Sequence, residues 1–255
     1  MRAETIEETV NRIAKLGYDS LEIQGSPELY DTKKVKRLLD DAGISCWGSV
    51  TLMLELRNLL AKDNKQRADS VQYVKDVVRM VAELDGHMVS VVPSTVGKIL
   101  PEGKPAEDWK YAVDSMKQVY EYAESVGILL GIEPINRFET YFINRGDQAL
   151  ALAKEVGPKC GVCLDTFHMN IEEDEILPAI RRAKGKLIGF HVADNNRMAP
   201  GMGKLDWASI VKTLGEIGYD DVLSVEFCSP LDRTPANPYP NSIGRILHHA
   251  HQKIH

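Results

Sequence analysis

The sequence lacks the features that mark membrane and secreted proteins. No apolar run approaches the roughly 18 residues that a membrane-spanning helix needs, and the N-terminus, MRAETIEETV, has no apolar signal region. The chain has only 4 cysteines among 255 residues, too few for a disulfide scaffold of this size. These absences predict a cytoplasmic protein with no membrane partner.

Basic charge and nucleotide-binding motifs are absent as well. The formal net charge is −6, which weighs against a nucleic-acid groove or a membrane surface as the main partner. No GxGxxG follows the first predicted strand, and no GxxxxGK[ST] occurs anywhere, which disfavours Rossmann and P-loop folds. We therefore expect a small-molecule partner and no nucleic acid.

The sequence does contain one repeated pattern: a helical run, a glycine or turn, and a short apolar run. The first helix is predicted over residues 4–16 and ends at Gly17, and the strand DSLEIQ follows. The later predicted strands are ISCWGSV, HMVSVV, ILLGIE, CGVCLD, KLIGFHV and VLSVEF. With a final helix, NSIGRILHHAHQKI, the pattern gives seven strands and eight helices in strict alternation. Alternation predicts parallel strands joined by helical crossovers.

Seven or eight such units without a break in composition predict a single domain over residues 1–255, a (β/α)8 TIM barrel. The chain begins with what should be the first helix, so the first barrel strand is missing from the pattern. Three explanations stay open: a late start of the sequence, a barrel open at that seam, or another segment that fills the gap. An unpaired strand edge there would expose backbone hydrogen-bonding groups.

Polar side chains stand at the ends of four consecutive later strands. ILLGIE ends in Glu133, GVCLD in Asp165 and LIGFH in His191, and LSVEF contains Glu226. The carboxyl ends of barrel strands share one face, so these side chains are expected to meet there. One polar residue at a strand end is an ordinary hydrogen-bonding stop, but four in succession predict a metal site. Three carboxylates and one imidazole suit Mn²⁺, Mg²⁺ or Co²⁺.

The loops after these strands supply further candidates. Glu139 follows Glu133 by six residues, His168 follows Asp165 by three, and Arg197 follows His191 by six. Taken singly, each of these three residues is best interpreted as an ordinary polar residue on the surface. Beside four candidate ligands, substrate contact is the better interpretation, with His168 reaching in from a loop.

Other acidic, cysteine and histidine clusters have simpler explanations. The acidic run that begins at Glu172 and Glu173 is predicted to open a helix, whose dipole it complements. The pair Cys160 and Cys163 has CxxC spacing but no second pair, so buried small hydrophobes are favoured over a zinc site. The tract HHAHQKIH lies on the predicted final helix, far from the strand ends, and is interpreted as a solvated helix.

Three of these segments carry a family resemblance. EPINRFETYFIN, LDTFHMNIEE and FHVADNNRMAPGMG resemble the xylose isomerase-like sugar isomerases and epimerases, most closely the D-tagatose and D-psicose 3-epimerases. The resemblance covers nearly the whole chain from Glu4 onward. It implies a homo-oligomer that holds a Mn²⁺ or Co²⁺ ion, with Glu133, Asp165, His191 and Glu226 as ligands.

The resemblance also implies a two-base reaction. Glu133 and Glu226 would lie on opposite faces of the sugar carbon next to the carbonyl. One removes its proton to give an enediolate and the other returns a proton from the far side. His168 and Arg197 would bind the carbonyl end of the sugar, and Glu139 a nearby hydroxyl. Inversion at carbon requires an acid/base group on each face, which is consistent with two carboxylates.

Two departures from the family pattern keep other substrates open. The proline-rich stretch FCSPLDRTPANPYPNS follows Glu226, and the first strand is missing. The alternative is a lyase on the same scaffold: a C-glycoside deglycosidase catalytic subunit that acts on 3-oxo-glycosides with a small β-rich partner subunit, or an inosose dehydratase-like enzyme. A phosphodiesterase of the endonuclease IV type is disfavoured, because it needs more metal ligands and a basic groove.

Overall fold

Seven parallel strands form one sheet whose spatial order follows the chain. The structure is a computed structural model that describes residues 4–228. The strands are β1 Ser20–Gly25, β2 Ser45–Thr51, β3 Met88–Val91, β4 Leu129–Ile132, β5 Gly161–Asp165, β6 Leu187–Val192 and β7 Leu223–Val225. Every neighbouring pair is parallel, as the alternating pattern predicted.

Helices connect the strands and cover the outside of the sheet. Within residues 4–228 they are α1 Ile6–Lys15, α2 Thr32–Ala42, α3 Asn64–Glu83, α4 Pro105–Ser125, α5 Gly146–Val156, α6 Thr166–Glu172, α7 Ile176–Arg182 and α8 Trp207–Ile217. A short 3₁₀ turn, Pro27–Leu29, follows β1. The helix predicted near the C-terminus lies outside the described residues. In the described part of the chain, no helix has the length and apolarity needed to cross a bilayer.

Local sequence signals set the ends of several helices. At α1, the hydroxyl of Thr5 accepts the backbone N–H of Glu8, and the Glu8 carboxylate accepts that of Thr5, which forms a capping box. Gly43 and Gly218 end α2 and α8 with φ of 70° and 77°, a left-handed conformation that glycine adopts without steric cost. The helix boundaries predicted from glycine positions therefore have a local physical cause.

The barrel interior is solidly packed below the carboxyl ends of the strands. Met88 on β3 fills the space left by glycines on neighbouring strands. A Cβ atom at Gly189 would lie 2.7 Å from Sγ of Cys163 and 2.9 Å from Cε of Met88, so no larger residue fits there without displacement. This close packing restricts the movement of the polar side chains at the carboxyl ends of the strands.

The sheet curls into a barrel that stays open between its first and last strands. Within residues 4–228, β1 and β7 are the two sheet edges, and they are not paired with each other. A cavity of about 800 Å³ lies between them. Side chains nevertheless cross the seam: Nε1 of Trp47 donates to Asp221 at 3.0 Å, and Oγ of Ser224 donates to Glu22 at 2.5 Å. The predicted TIM-barrel class is confirmed, and of the three explanations for the missing first strand the described residues show a barrel open at that seam.

One predicted element boundary was wrong. The residues after Asp165 were expected to be a loop, with a helix opening at Glu172 and Glu173. Instead α6 begins at Thr166 and ends at Glu172, and α7 begins only at Ile176. The reason is that the Asp165 carboxylate accepts the backbone N–H of Phe167 at 2.7 Å and so caps α6 directly at the strand end.

Candidate metal and active site

The four predicted strand-end residues come together at one point. One ligand atom from each of Glu133, Asp165, His191 and Glu226 can be chosen so that all lie within 4.8 Å of one another. Strand register contributes directly, because Asp165 on β5 is the partner of His191 on β6. The backbone N–H groups of Glu133 and Glu226 donate to Val91 and Val192 at 3.0 and 3.1 Å, which continues the sheet ladder by one residue.

His191 lies at the centre of this cluster and is fully buried. Its Nδ1 is 3.0 Å from Oε1 of Glu133 and 2.9 Å from Oε2 of Glu226. Burial alone would lower the pKa of His191, but Cys163 and the surrounding carboxylates outweigh it and raise the pKa well above its ordinary value. The two glutamates therefore approach a single nitrogen from two separate strands.

The cluster concentrates negative charge in a buried place. Burial raises the pKa of Asp165, against the opposing effect of Arg197. Oε2 of Glu226 is buried and accepts no well-aligned hydrogen bond from residues 4–228, although Nδ1 of His191 is close. Three carboxylates, one imidazole and an unsatisfied buried oxygen fit a divalent cation that prefers oxygen ligands.

Glu133 is held in place by a residue that the sequence did not single out. Oγ of Ser90, on the neighbouring strand β3, donates to Oε2 of Glu133 at 2.6 Å, which leaves Oε1 facing His191. Burial raises the pKa of Glu133, but His191 and the Ser90 hydrogen bond outweigh it, so the pKa is lowered overall. A serine inside the strand MVSV carries no sequence signal for such a role.

Arg197 lies against the cluster and not on the open surface. It follows β6 in the loop before α8, with φ of 59° in the left-handed region. Its guanidinium pairs with Asp165 and lies 3.1 Å from Oε1 of Glu226. The same group stacks over the ring of Phe167, with 4.7 Å between Cζ and the ring centroid. One cation therefore links two of the predicted ligands.

His168 and Glu139 are joined by a third residue, Asn136. Nδ1 of His168 accepts the backbone N–H of Asn136 at 3.2 Å, and the Asn136 side-chain amide donates to Glu139 at 2.7 Å. Since Nδ1 accepts, the ring proton of neutral His168 lies on Nε2, which is 4.0 Å from Asp165. His168 is on α6, so the prediction that it reaches in from a loop was wrong. The sequence analysis assigned no role to Asn136.

Glu172 and Glu173 fasten α6 to the loops around the site. Oε1 of Glu172 accepts the backbone N–H of Arg137 at 2.7 Å, and the Arg137 guanidinium pairs with the same carboxylate. Glu173 accepts the backbone N–H of Gly146 at 2.7 Å. Glu172 and Glu173 therefore hold the β4–α5 loop in place. Of the acidic run, only its last residue, Glu175, stands at a helix start, as the N-cap residue of α7.

The cysteine pair does not form a second cluster. Cys160 and Cys163 are free and buried, in line with the sequence interpretation. Cys163 lies beside Glu133 and His191, with its Sγ 3.4 Å from Nε2 of His191. Burial raises the pKa of the Cys163 thiol to about 12, which favours the neutral thiol while no metal is bound. The HHAHQKIH tract lies outside the described residues.

The fold and the cluster together define a parallel α/β barrel with a polar site at the carboxyl ends of its strands. The sequence profile of the xylose isomerase-like TIM barrel family matches residues 10–246. The chain belongs to this family, which confirms the resemblance read from its motifs.

Named relatives are sugar epimerases. The chain is 32% identical over 229 residues to the D-psicose 3-epimerase of Ruminiclostridium cellulolyticum, with 85% of this chain and 76% of that protein covered. It is 30% identical over 223 residues to the L-ribulose 3-epimerase of Mesorhizobium japonicum, with 87% and 75% covered. The solved D-psicose 3-epimerase of Clostridium cellulolyticum H10, crystallised with D-tagatose, superimposes with a TM-score of 0.85 at 28% identity, covering 98% of this chain and 92% of that one.

Proposed function

We propose that this protein is a divalent-metal-dependent sugar epimerase of the ketose 3-epimerase type. The relation to named D-psicose and L-ribulose 3-epimerases supports the reaction class. The observation that carries the proposal is the placement of Glu133 and Glu226, whose oxygens lie 3.0 and 2.9 Å from the same nitrogen of His191. These carboxylates converge from the ends of β4 and β7, and they are proposed to act as acid/base groups on opposite faces of the bound sugar.

Glu133, Asp165, His191 and Glu226 would hold the cation, with Mn²⁺ proposed and Co²⁺ or Mg²⁺ as alternatives. When bound, it would polarise the sugar carbonyl and stabilise negative charge that develops on oxygen. The residues around the cluster then have distinct roles. One glutamate removes the proton next to the carbonyl to give the enediolate, and the other delivers a proton to the opposite face. A positioned carboxylate of this kind contributes about 10²–10⁴-fold.

His168, Arg197 and Glu139 are proposed to bind the sugar. The Nε2–H of His168 and the guanidinium of Arg197 both face Asp165, so both can donate to oxygens at the carbonyl end. Glu139 is fixed by Asn136 and is proposed to accept a hydrogen bond from a sugar hydroxyl. Buried donors that are already oriented stabilise a developing oxyanion without reorganisation.

The exposed apolar side chains around the barrel mouth support a homo-oligomer. Leu29, Leu56, Leu100 and Phe138 are exposed, and they follow β1, β2, β3 and β4 respectively. Large apolar residues gathered on one face are typical of an interaction surface. We propose that this face pairs with a second copy of the chain, which light scattering on the purified protein tests; a monomer at micromolar concentration contradicts it.

The function is tested by a substrate panel with added Mn²⁺. We expect epimerisation of free ketoses such as D-psicose, D-tagatose or L-ribulose, with deuterium from D₂O entering the product at the carbon next to the carbonyl. Glu133→Gln is expected to abolish turnover while circular dichroism and thermal unfolding stay unchanged. Glu124→Gln, at an exposed position on α4, is the matched control. Near-normal activity of Glu133→Gln, or turnover of 3-oxo-glycosides in place of free ketoses, would overturn the proposal.

A further inference from the structure

A buried acid on β1 contacts the back of the central histidine. Glu22 is the third residue of β1, and its side chain is only 10% exposed. Its carboxylate oxygens Oε1 and Oε2 lie 3.2 and 3.1 Å from Nε2 of His191. This nitrogen is on the opposite edge of the ring from Nδ1, which faces Glu133 and Glu226. Glu22 therefore joins the four predicted ligands at the cluster, but it lies on the far side of the His191 ring from Glu133 and Glu226.

The contact has a defined chemical consequence. A carboxylate can only accept a hydrogen bond, so Nε2 must carry the ring proton when it donates to Glu22. Nδ1 faces the carboxylates of Glu133 and Glu226 at 3.0 and 2.9 Å, so without a cation it carries a proton as well. A bound cation would displace that proton and accept the Nδ1 lone pair, while Nε2–H stays on Glu22. Histidines that bind metals commonly donate their other ring N–H to a carboxylate, which fixes the tautomer and the ring orientation. The alternative tautomer would point an N–H at the place where the cation is proposed.

Among the described residues, the one other group close to this nitrogen cannot replace Glu22. Sγ of Cys163 is 3.4 Å from Nε2, but a thiol is a weak acceptor and would leave the ring orientation poorly defined. Glu22 itself is held by a hydrogen bond from β7, the strand on the other side of the open seam. Oγ of Ser224 on β7 donates to its Oε2 at 2.5 Å, and Ser224 is the register partner of His191.

We propose that Glu22 is a positioning residue that orients His191 for metal binding, and that Ser224 anchors it across the seam between β1 and β7. The inference rests on the metal site of the proposed function. It predicts that metal affinity depends on a residue that is neither a ligand nor in contact with substrate. The proposal also predicts that metal affinity depends on the distance between the edge strands β1 and β7.

The test measures Mn²⁺ affinity of the metal-free full-length protein by titration calorimetry, without substrate. Glu22→Gln is nearly isosteric, and we expect it to weaken Mn²⁺ binding by about 10- to 100-fold. Ser224→Ala is expected to cause a smaller loss, because Glu22 keeps its contact with His191. The matched control is Glu28→Gln, which removes an exposed acid that lies just after β1 and pairs only loosely with Arg57.

Two further readouts separate orientation from general stability. The visible absorption of bound Co²⁺ reports ligand geometry, and we expect its bands to shift in Glu22→Gln but not in Glu28→Gln. Saturating Mn²⁺ should also restore most of the kcat of Glu22→Gln. Thermal unfolding of the metal-free variants is expected to match that of the unmodified protein.

The outcomes are distinguishable from failure of the proposed function. If the unmodified protein binds no divalent metal, the proposed metal site is wrong and this inference falls with it. If the unmodified protein binds Mn²⁺ and Glu22→Gln binds it equally well with an unchanged Co²⁺ spectrum, only the role of Glu22 is wrong. A third outcome would also overturn the positioning role of Glu22. In that outcome Glu22→Gln binds Mn²⁺ more weakly, its metal-free form unfolds at a lower temperature, and its Co²⁺ spectrum is unchanged.

Discussion

Ser90 holds Glu133 through a 2.6 Å hydrogen bond from its hydroxyl to Oε2, and both residues are buried. The two strands that carry them are neighbours, with Ser90 on β3 and Glu133 directly after β4. Because one oxygen of Glu133 is occupied by Ser90, the other faces His191. The geometry of one proposed acid/base group thus depends on a small polar residue one strand away.

Replacing this serine is expected to slow catalysis. Ser90→Ala leaves Oε2 of Glu133 without its partner and frees the carboxylate to rotate. A lost hydrogen bond to a charged group costs about 1.5–3 kcal/mol, so we expect kcat to fall by about 10- to 100-fold. Steady-state kinetics with the preferred ketose measure this change. Ser125→Ala, on the exposed end of α4, is the control. An unchanged kcat for Ser90→Ala would show that Glu133 is held by its other contacts.

The pairing of His168 with Glu139 through Asn136 gives a second prediction. Asn136→Asp places a carboxylate beside Glu139, where the native amide donates at 2.7 Å, so the two acids repel each other. We expect KM to rise by at least about 10-fold, with a smaller fall in kcat, because the proposed sugar contacts are displaced. Asn64→Asp at the exposed start of α3 serves as the control. A KM equal to that of the unmodified protein would contradict the proposed binding role.

Asp194 organises the loop that carries Arg197. Its carboxylate accepts four hydrogen bonds at 2.9–3.2 Å, one from Nε1 of Trp207 and the others from the backbone N–H groups of Asn195, Gly201 and Leu205. Burial raises the pKa of Asp194, but these donors outweigh it, so its pKa lies below the ordinary value. A carboxylate that accepts this many N–H groups is stabilised in its charged form.

The stabilisation from Asp194 is therefore expected to depend on pH. A depressed pKa in the folded state contributes stability that is complete above the unfolded-state pKa of about 3.9 and is lost as the pH falls through the folded-state value. Asp194→Asn should lower the free energy of unfolding by about 1–3 kcal/mol at pH 7, and the difference should shrink as the pH falls below about 4 towards the folded-state pKa. Urea unfolding at several pH values measures it. A difference that is constant with pH would contradict the assignment to this carboxylate.

Metal binding should stabilise the folded chain. A ligand that binds only the native state at 100 times its Kd adds about 2.7 kcal/mol to the free energy of unfolding. We therefore expect Mn²⁺ to raise the unfolding temperature in a concentration-dependent way and a chelator to reverse the shift. Asp165→Asn should reduce the response, while Asp147→Asn, on exposed α5, should keep it. No response of the unmodified protein at millimolar Mn²⁺ would contradict the proposed metal site.

The sequence by itself determined the strand alternation and the positions of the strand ends. Apolar runs that end in Glu133, Asp165 and His191 predicted the meeting point, because parallel strands in a barrel bring their carboxyl ends to one face. The same sequence pattern did not predict helix α6. Asp165 was interpreted as a strand end and a metal ligand, and its further role as a helix cap depends on where its side chain points.

Only the tertiary structure decided which residues support these groups. Glu22 and Ser90 lie inside strands, where a single polar residue carries no local signal, and their roles follow from register and barrel curvature. Ser224 reaches Glu22 across 202 residues of chain and an open seam. Local periodicity specifies which residues form a strand, but contacts between strands distant in sequence arise only when the sheet curls and the first and last strands approach each other.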